Sequence, residues 1–384
     1  MIARNGSFRP AGSTAPSRNP ELDGLRGVAI VTVVLHNAWW IGEWGHLLVE
    51  EVVSTALAGG WVGVQLFFVL SGFLITRILL DDRAGPHPFK TFWLRRALRI
   101  FPLYYLLLIG ALVLSLVIGG AWGAGFQRNQ WWLWFYLSNW AEPLGFGVYG
   151  LPHLWSLAVE EQFYLLWPLL ALRLTERTLA IVCTTIVAIT PLLRFTLRST
   201  ALPAGAAYSF TIARWDALAL GALIAILVRW PAWRTRLAHA APPVAVAAMG
   251  AVIVIALFEH GFDGGDRWVQ VIGQTAISFA SGAIILVALY GAAATEPLRQ
   301  LLRSRWLRWF GSRSYAIYLV HAPIHYALAS HYRDWINGPD DGLREVRLFV
   351  YALGLLAVSS AIAEVTWHMI EQPILRLKEH VARR

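Results

Sequence analysis

The chain has 384 residues, of which 57% are hydrophobic and 14% charged, against about 25% charged in ordinary soluble domains. With a mean hydropathy of +0.53 and a single cysteine, it excludes a soluble enzyme, a disordered chain, an internal disulfide and a CxxC-type zinc or redox site. What remains is a polytopic membrane protein, whose formal charge of +9 belongs to loop sidedness rather than to nucleic-acid binding.

Residues 1–19 are rich in Ser, Pro, Gly and Arg and predict a disordered cytoplasmic tail. No apolar run precedes Glu21, so the expectation is that no signal peptide is cleaved there. A membrane helix needs about 20 mostly apolar residues. Windows free of Asp, Glu, Lys and Arg predict spans at 27–42, 52–76 and 100–127. The stretch 131–140, with Trp131, Trp132, Trp134, Tyr136 and Trp140, reads as an interfacial belt; an eleventh short helix is the alternative. A fourth span at about 153–172 carries Glu160 and Glu161, a fifth covers 178–193, and a sixth at about 208–228 carries Arg214 and Asp216. Windows at 237–258, 268–295, 314–332 and 348–363 complete the set, before a basic cytoplasmic tail at 376–384. The fold class expected is therefore all-α, with about ten transmembrane helices and a membrane domain over 20–375.

Loop charges orient the spans. With the N-terminus inside, 24 of the 32 Lys and Arg residues fall in inside segments. The other eight are Arg128, Arg194, Arg198, Arg214, Arg267, Arg333, Arg344 and Arg347. This three-to-one bias predicts ten spans with both ends cytoplasmic.

Polar side chains inside a bilayer are costly and mark functional sites or buried pairs. The candidates are His36, Asn37, Glu160, Glu161, Arg214, Asp216, His321 and His325, with Glu364 weaker. Helical phasing puts His153, Ser156, Glu160, Tyr164 and Trp167 on one face, with Glu161 about 100° away. Ser314, Tyr318, His321 and His325 form a second stripe. Such stripes suit a polar cavity, and they also serve as glue between helices. A lone histidine fits either role equally; Glu160 together with two histidine-bearing helices favours function. Arg214 and Asp216 are two residues apart and do not face each other, so each is expected to pair with another helix, and a structural ion pair fits at least as well as a catalytic one. Glu364 and Cys183 read as structural. Arg95, Arg96 and Arg99 form a basic cluster at a membrane edge. It suits anionic lipid headgroups or the phosphates of a cytoplasmic donor. No Gly-rich phosphate loop is present, which argues against ATP and NAD.

Several segments, in order, resemble the acyltransferase-3 family of transmembrane O-acyltransferases. They are Leu22-Asp23-Gly24-Leu25-Arg26-Gly27 leading to His36, then Phe67-Phe68-Val69-Leu70-Ser71-Gly72-Phe73, then Arg96-Ala97-Leu98-Arg99-Ile100-Phe101-Pro102. Leu154-Trp155-Ser156-Leu157-Ala158-Val159-Glu160-Glu161-Gln162-Phe163-Tyr164 follows, then Arg214-Trp215-Asp216-Ala217-Leu218, Ser314-Tyr315-Ala316-Ile317-Tyr318-Leu319-Val320-His321 and Glu371-Gln372-Pro373. The resemblance implies ten core membrane helices in a bacterial inner (plasma) membrane. It also implies transfer of an acyl group, usually acetyl from acetyl-CoA, to a sugar hydroxyl of a lipid-linked glycan or surface polysaccharide. The family's important first-helix Arg and His map to Arg26 and His36, and its Arg-x-x-Arg pair to Arg96 and Arg99. Some members add an extracytoplasmic hydrolase-like domain; no such domain is read here, so a separate periplasmic partner enzyme is an expectation. The commoner family spacing places ten residues between the Arg and the His, whereas nine intervene here. On an ideal helix that turns His36 about 80° off the Arg26 face and leaves Asn37 in phase.

The mechanism expected has the acetyl-CoA phosphates held by Arg96, Arg99 and Arg95. His36 is general base on the acceptor hydroxyl, Glu160 orients His36 or takes a proton, and His321 helps. No metal is called for, because a thioester is already activated. The partners expected are an acyl-CoA, a carbohydrate or glycolipid acceptor and membrane lipids, without nucleic acid. The alternatives are a secondary transporter, or an acyl-group translocator that serves a separate enzyme.

Overall fold

The computed structural model describes residues 19–39, 41, 58–259, 261–338 and 343–381. The chain is all-helical there, with no strand among the described residues. Among the described residues, ten helices of 17 residues or more form the body. They are α1 (Pro20–Trp39), α2 (Val62–Asp81), α3 (Pro88–Ile118), α4 (Trp155–Ala171), α5 (Glu176–Arg198), α6 (Thr211–Leu227), α7 (Pro231–Phe258), α8 (Gln274–Tyr290), α9 (Arg305–Ile336) and α10 (Arg344–Thr366). A shorter α11 (Gln372–Val381) occupies most of the predicted basic tail. The predicted N-terminal tail lies outside the described residues except for Asn19.

Local signals explain several starts. Pro88 and Pro231 stand at the beginnings of α3 and α7, where a missing N–H is harmless. The hydroxyls of Thr175 and Ser304 accept from the amides of Thr178 (3.2 Å) and Leu307 (3.4 Å), capping α5 and α9. Single π-helical turns run into α8 at Val269–Gly273 and out of α10 at Trp367–Glu371.

Seven helices among the described residues, α2, α3, α5, α6, α7, α8 and α10, are long and apolar enough to cross a membrane. The remaining long helices, α1, α4 and α9, carry Asp23, Arg26, His36 and Asn37, Glu160 and Glu161, and His321 and His325 respectively. Those polar residues hold their hydropathy down.

The bundle is layered from centre to edge. α1 lies along α9, α2 lies along α6, and α5 packs on α6. Of the apolar window around α6, 78% is buried, against 11% for α7, which packs outside on α8. Close crossings make the centre. A Cβ on Gly72 would collide with the Leu218 carbonyl, and one on Gly221 with that of Val69, so α2 and α6 meet backbone to backbone. Gly27 and Gly311 do the same for α1 and α9, against Leu307 and Asp23.

The predicted aromatic belt consists of two short helices, Trp131–Trp134 and Ser138–Ala141. Trp131 points outward, while Asn139 is buried and donates to the Ser209 carbonyl (3.2 Å) and the Thr211 hydroxyl (2.8 Å). Gln162 of α4 donates to the Tyr136 carbonyl at 2.7 Å, fixing the segment against the bundle.

Candidate active site

α1, α2, α3, α4 and α9 enclose a cavity of about 90 Å³. Arg26 enters it from α1, and Arg96 and Arg99 from the first turns of α3. Ser71 enters from α2, Ser156, Glu160 and Tyr164 from α4, and Ser314 and Tyr318 from α9. Positions 156, 160 and 164 recur every four residues on α4, so the cavity follows that helix for about 12 Å.

The arginines define one end. The Arg96 guanidinium lies over the rings of Tyr164 (5.2 Å) and Phe92 (5.8 Å). Among the described residues, none of Arg26, Arg96 and Arg99 has an ion-pair partner, so three cations face one cavity carboxyl, Glu160. Glu160 sits beside the hydroxyls of Ser71 and Tyr164, which hydrogen-bond each other. The Tyr164 backbone is held by Trp93 (3.0 Å), and Tyr315 ties α9 to the Ile100 carbonyl of α3 (2.7 Å).

The other end is closed by hydroxyls. Ser156 and Tyr318 share a hydrogen bond of 2.7 Å, and Tyr318 also donates to the His153 carbonyl at 2.7 Å. Behind this wall lies a histidine layer. The rings of His153 and His321 are 5.3 Å apart. His321 Nδ1 lies 2.7 Å from the Tyr318 carbonyl and His153 Nε2 lies 3.2 Å from that of Leu319. A carbonyl only accepts, so each of these nitrogens carries the proton. The opposite nitrogens, His321 Nε2 and His153 Nδ1, are then lone pairs, buried and without a hydrogen-bond partner among the described residues. His325 contacts the Tyr351 hydroxyl at 2.9 Å. His36 stacks on Trp39 (6.4 Å) and its charge would be felt at His321.

The residues singled out in the sequence divide accordingly. Arg26, Arg96, Arg99 and Glu160 are brought together in the cavity. His36 and His321 stand apart from its lining, with the histidine layer. Arg95 turns away and donates to Asp82 at 3.0 Å. Asn37 donates to its own helix, at Val33 O (3.0 Å). Asp216 pairs with Arg194 of α5, and both are fully buried. Arg194, one of the eight cations that fall in no inside segment, is thus an interior residue, because α5 runs past the apolar window to Arg198. Glu364 pairs with Arg313 (2.9 Å) between α10 and α9, and Cys183 is buried. The sequence placed Tyr318 on a polar stripe but gave no role to the Ser71 hydroxyl, although it lies within a family motif; the partners of both come from other helices. Among the described residues no three His, Cys, Asp or Glu side chains gather as a metal site requires.

Comparison with known proteins gives a consistent picture. A family model for an acyltransferase domain matches residues 19–364. The O-acetyltransferase OatA of Staphylococcus aureus (strain NCTC 8325 / PS 47) is 29% identical over 383 residues, covering 94% of this chain and 58% of its own. The putative peptidoglycan O-acetyltransferase YrhL of Bacillus subtilis is 29% identical over 378 residues, covering 92% and 54%. The peptidoglycan O-acetyltransferase OatA of Listeria monocytogenes is 27% identical over 382 residues, covering 92% and 55%. The chain therefore spans a little over half the length of these relatives. No solved structure matches.

Proposed function

We propose, from the premise that this chain belongs to the acyltransferase-3 family, that it is a membrane O-acyltransferase. In this reading it moves an acetyl group from cytoplasmic acetyl-CoA to a hydroxyl of a sugar-containing acceptor. The names of its relatives favour a cell-wall glycan as that acceptor. The observation that carries the reading is the cavity itself, where three arginines without ion-pair partners among the described residues lead to a carboxyl among hydroxyls.

The topology proposed has α1 to α10 crossing a bacterial inner membrane, with both ends cytoplasmic. Charge bias supports it. Arg26, Arg96 and Arg99 then lie at the cytoplasmic mouth. Guanidinium forks match phosphate oxygens bidentately, which suits Arg96 and Arg99 to the CoA phosphates. The thioester would reach past Tyr164 to Glu160. There the acceptor oxygen forms a bond to the acyl carbon, the carbon–sulfur bond breaks, and the hydroxyl proton passes through a base to the CoA thiolate. Glu160 is proposed to take or orient that proton at the cavity. His36 and His321 are proposed to act from the outer side, where a glycan would arrive, and an additional partner enzyme beyond the membrane is compatible with this.

The test is release of free CoA thiol and formation of an ester from labelled acetyl-CoA by membranes carrying the chain. Glu160→Gln should lower turnover by about 10²–10⁴-fold while the protein stays folded. Uptake of a substrate without thiol release would replace the enzyme reading with a carrier.

A further inference from the structure

Arg214 is fully buried in α6, and none of its three guanidinium nitrogens has a hydrogen-bond partner among the described residues. Its Cζ lies 5.3 Å from the Phe68 ring, 5.1 Å from Trp155 and 5.1 Å from Tyr208. Aromatic faces attract a cation but do not satisfy N–H donors in the guanidinium plane. The carboxylate closest in sequence, Asp216, has both oxygens committed, one to Arg194 and one to Thr275 (2.7 Å). A guanidinium keeps its charge in a protein interior. Buried without an anion it is strongly unfavourable.

Its position gives it a use. Phe68 lines the cavity, and Trp155 directly precedes Ser156, which closes the end opposite Arg96. Arg214 itself is not in the cavity lining; its cage meets the cavity, at the end where the acyl group would stop, through the Phe68 ring.

We propose that Arg214 is an oxyanion site for acyl transfer. This rests on the O-acyltransferase reading above. When the acceptor oxygen bonds to the acyl carbon, the carbonyl electron pair moves onto its oxygen. When that pair returns, the thiolate leaves and takes up the acceptor's proton. Arg214 donates to the oxygen while it is negative, as a preorganised donor that the ground-state carbonyl uses little. The same chemistry would also hold a fixed acidic oxygen on the acceptor, and kinetics separate the two sources.

The experiment uses the purified full chain as wild type, Arg214→Met and Arg214→Lys. Without substrate, Arg214→Met removes an uncompensated cation, so its thermal midpoint should match or exceed the wild type. A drop as large as that of Arg194→Met would make Arg214 structural and overturn the proposal. With acetyl-CoA and a glycan acceptor, a fall in kcat of about 10²–10³-fold at unchanged KM identifies the acyl oxyanion. A rise in acceptor KM confined to acidic acceptors, at unchanged kcat, identifies an acceptor anion and overturns the acyl-oxyanion assignment. Unchanged kcat and KM overturn both. Arg214→Lys keeps the charge but loses the fork, so its kcat should fall as well, by less than that of Arg214→Met, and an unchanged kcat in both variants overturns the acyl-oxyanion assignment.

A binding readout stands apart from activity. Sodium acetate, against sodium chloride at equal ionic strength, should raise the midpoint of the wild type and of Glu160→Gln but not of Arg214→Met. No acetate effect in the wild type overturns the site. An Arg214-dependent acetate effect without thiol release leaves the site standing and removes the acyl-transfer reading.

Discussion

Arg194 and Asp216 meet where α5, α6 and α8 pack. There Arg194 donates to the Ala213 carbonyl (2.7 Å), to Thr275 (2.9 Å) and to Asp216, whose second oxygen accepts from Thr275. The charges cancel and each donor has an acceptor. The cavity among α1, α2, α3, α4 and α9 is assembled differently. Three arginines face one glutamate, none of the three has an ion-pair partner among the described residues, and Arg214 behind it has no hydrogen-bond partner. Both regions place charge inside an apolar bundle, where its cost is met by partners or left standing. A closed cluster specifies how helices pack. An open one leaves its interaction energy for a ligand.

The largest expected effect breaks the closed cluster. Arg194→Met leaves the Asp216 carboxylate buried and unpaired, which should destabilise by about 3–5 kcal/mol. Thermal unfolding in detergent would show it as a clear fall in midpoint. Arg194→Met with Asp216→Leu removes both charges and should recover most of the loss. A single variant as stable as wild type would mean that the cluster does not organise the packing.

Next in size is an effect on binding, at the open site. Arg96→Ala combined with Arg99→Ala removes two charge-assisted contacts to the proposed donor phosphates. Each is worth about 1.5–3 kcal/mol, so the KM for acetyl-CoA should rise at least a hundredfold. The thermal midpoint should fall little, because neither guanidinium has an ion-pair partner among the described residues and Arg96 loses only its ring contacts. Initial rates over a range of acetyl-CoA concentrations separate the outcomes. A lower midpoint with unchanged KM would make these arginines closed-cluster residues.

The difference between the two regions also decided what the sequence could disclose. The ten long helices follow from apolar runs, but several windows free of charge start too late. α3 begins at Pro88, not near 100, because Arg95, Arg96 and Arg99 ride on the helix itself. The cavity set of Arg26, Arg96, Arg99 and Glu160 was legible through motif and phase. Arg95 sits one position from Arg96, about 100° around the helix, and it reaches Asp82 instead. His36 leaves the Arg26 face by about 80°, in keeping with its absence from the cavity lining. The Arg194–Asp216 pair joins residues on different helices, and phasing within one helix cannot choose a partner on another. For the same reason the rings around Arg214, from α2, α4 and the segment before α6, were beyond sequence reading.

The smallest effects set one hydroxyl against another. Thr275→Val strips a donor from Asp216 and an acceptor from Arg194, which are both fully buried, so both are left short and the cost should be about 1–3 kcal/mol. Ser71→Ala removes one hydrogen bond to Tyr164, but the Tyr164 hydroxyl borders the cavity, where water can take the vacated position. Its cost should stay at or below about 1 kcal/mol. Denaturant unfolding of the two variants side by side measures the gap. Equal losses would show that the cavity is sealed as tightly as the ion-pair cluster, and an interior sealed in that way could not admit a thioester.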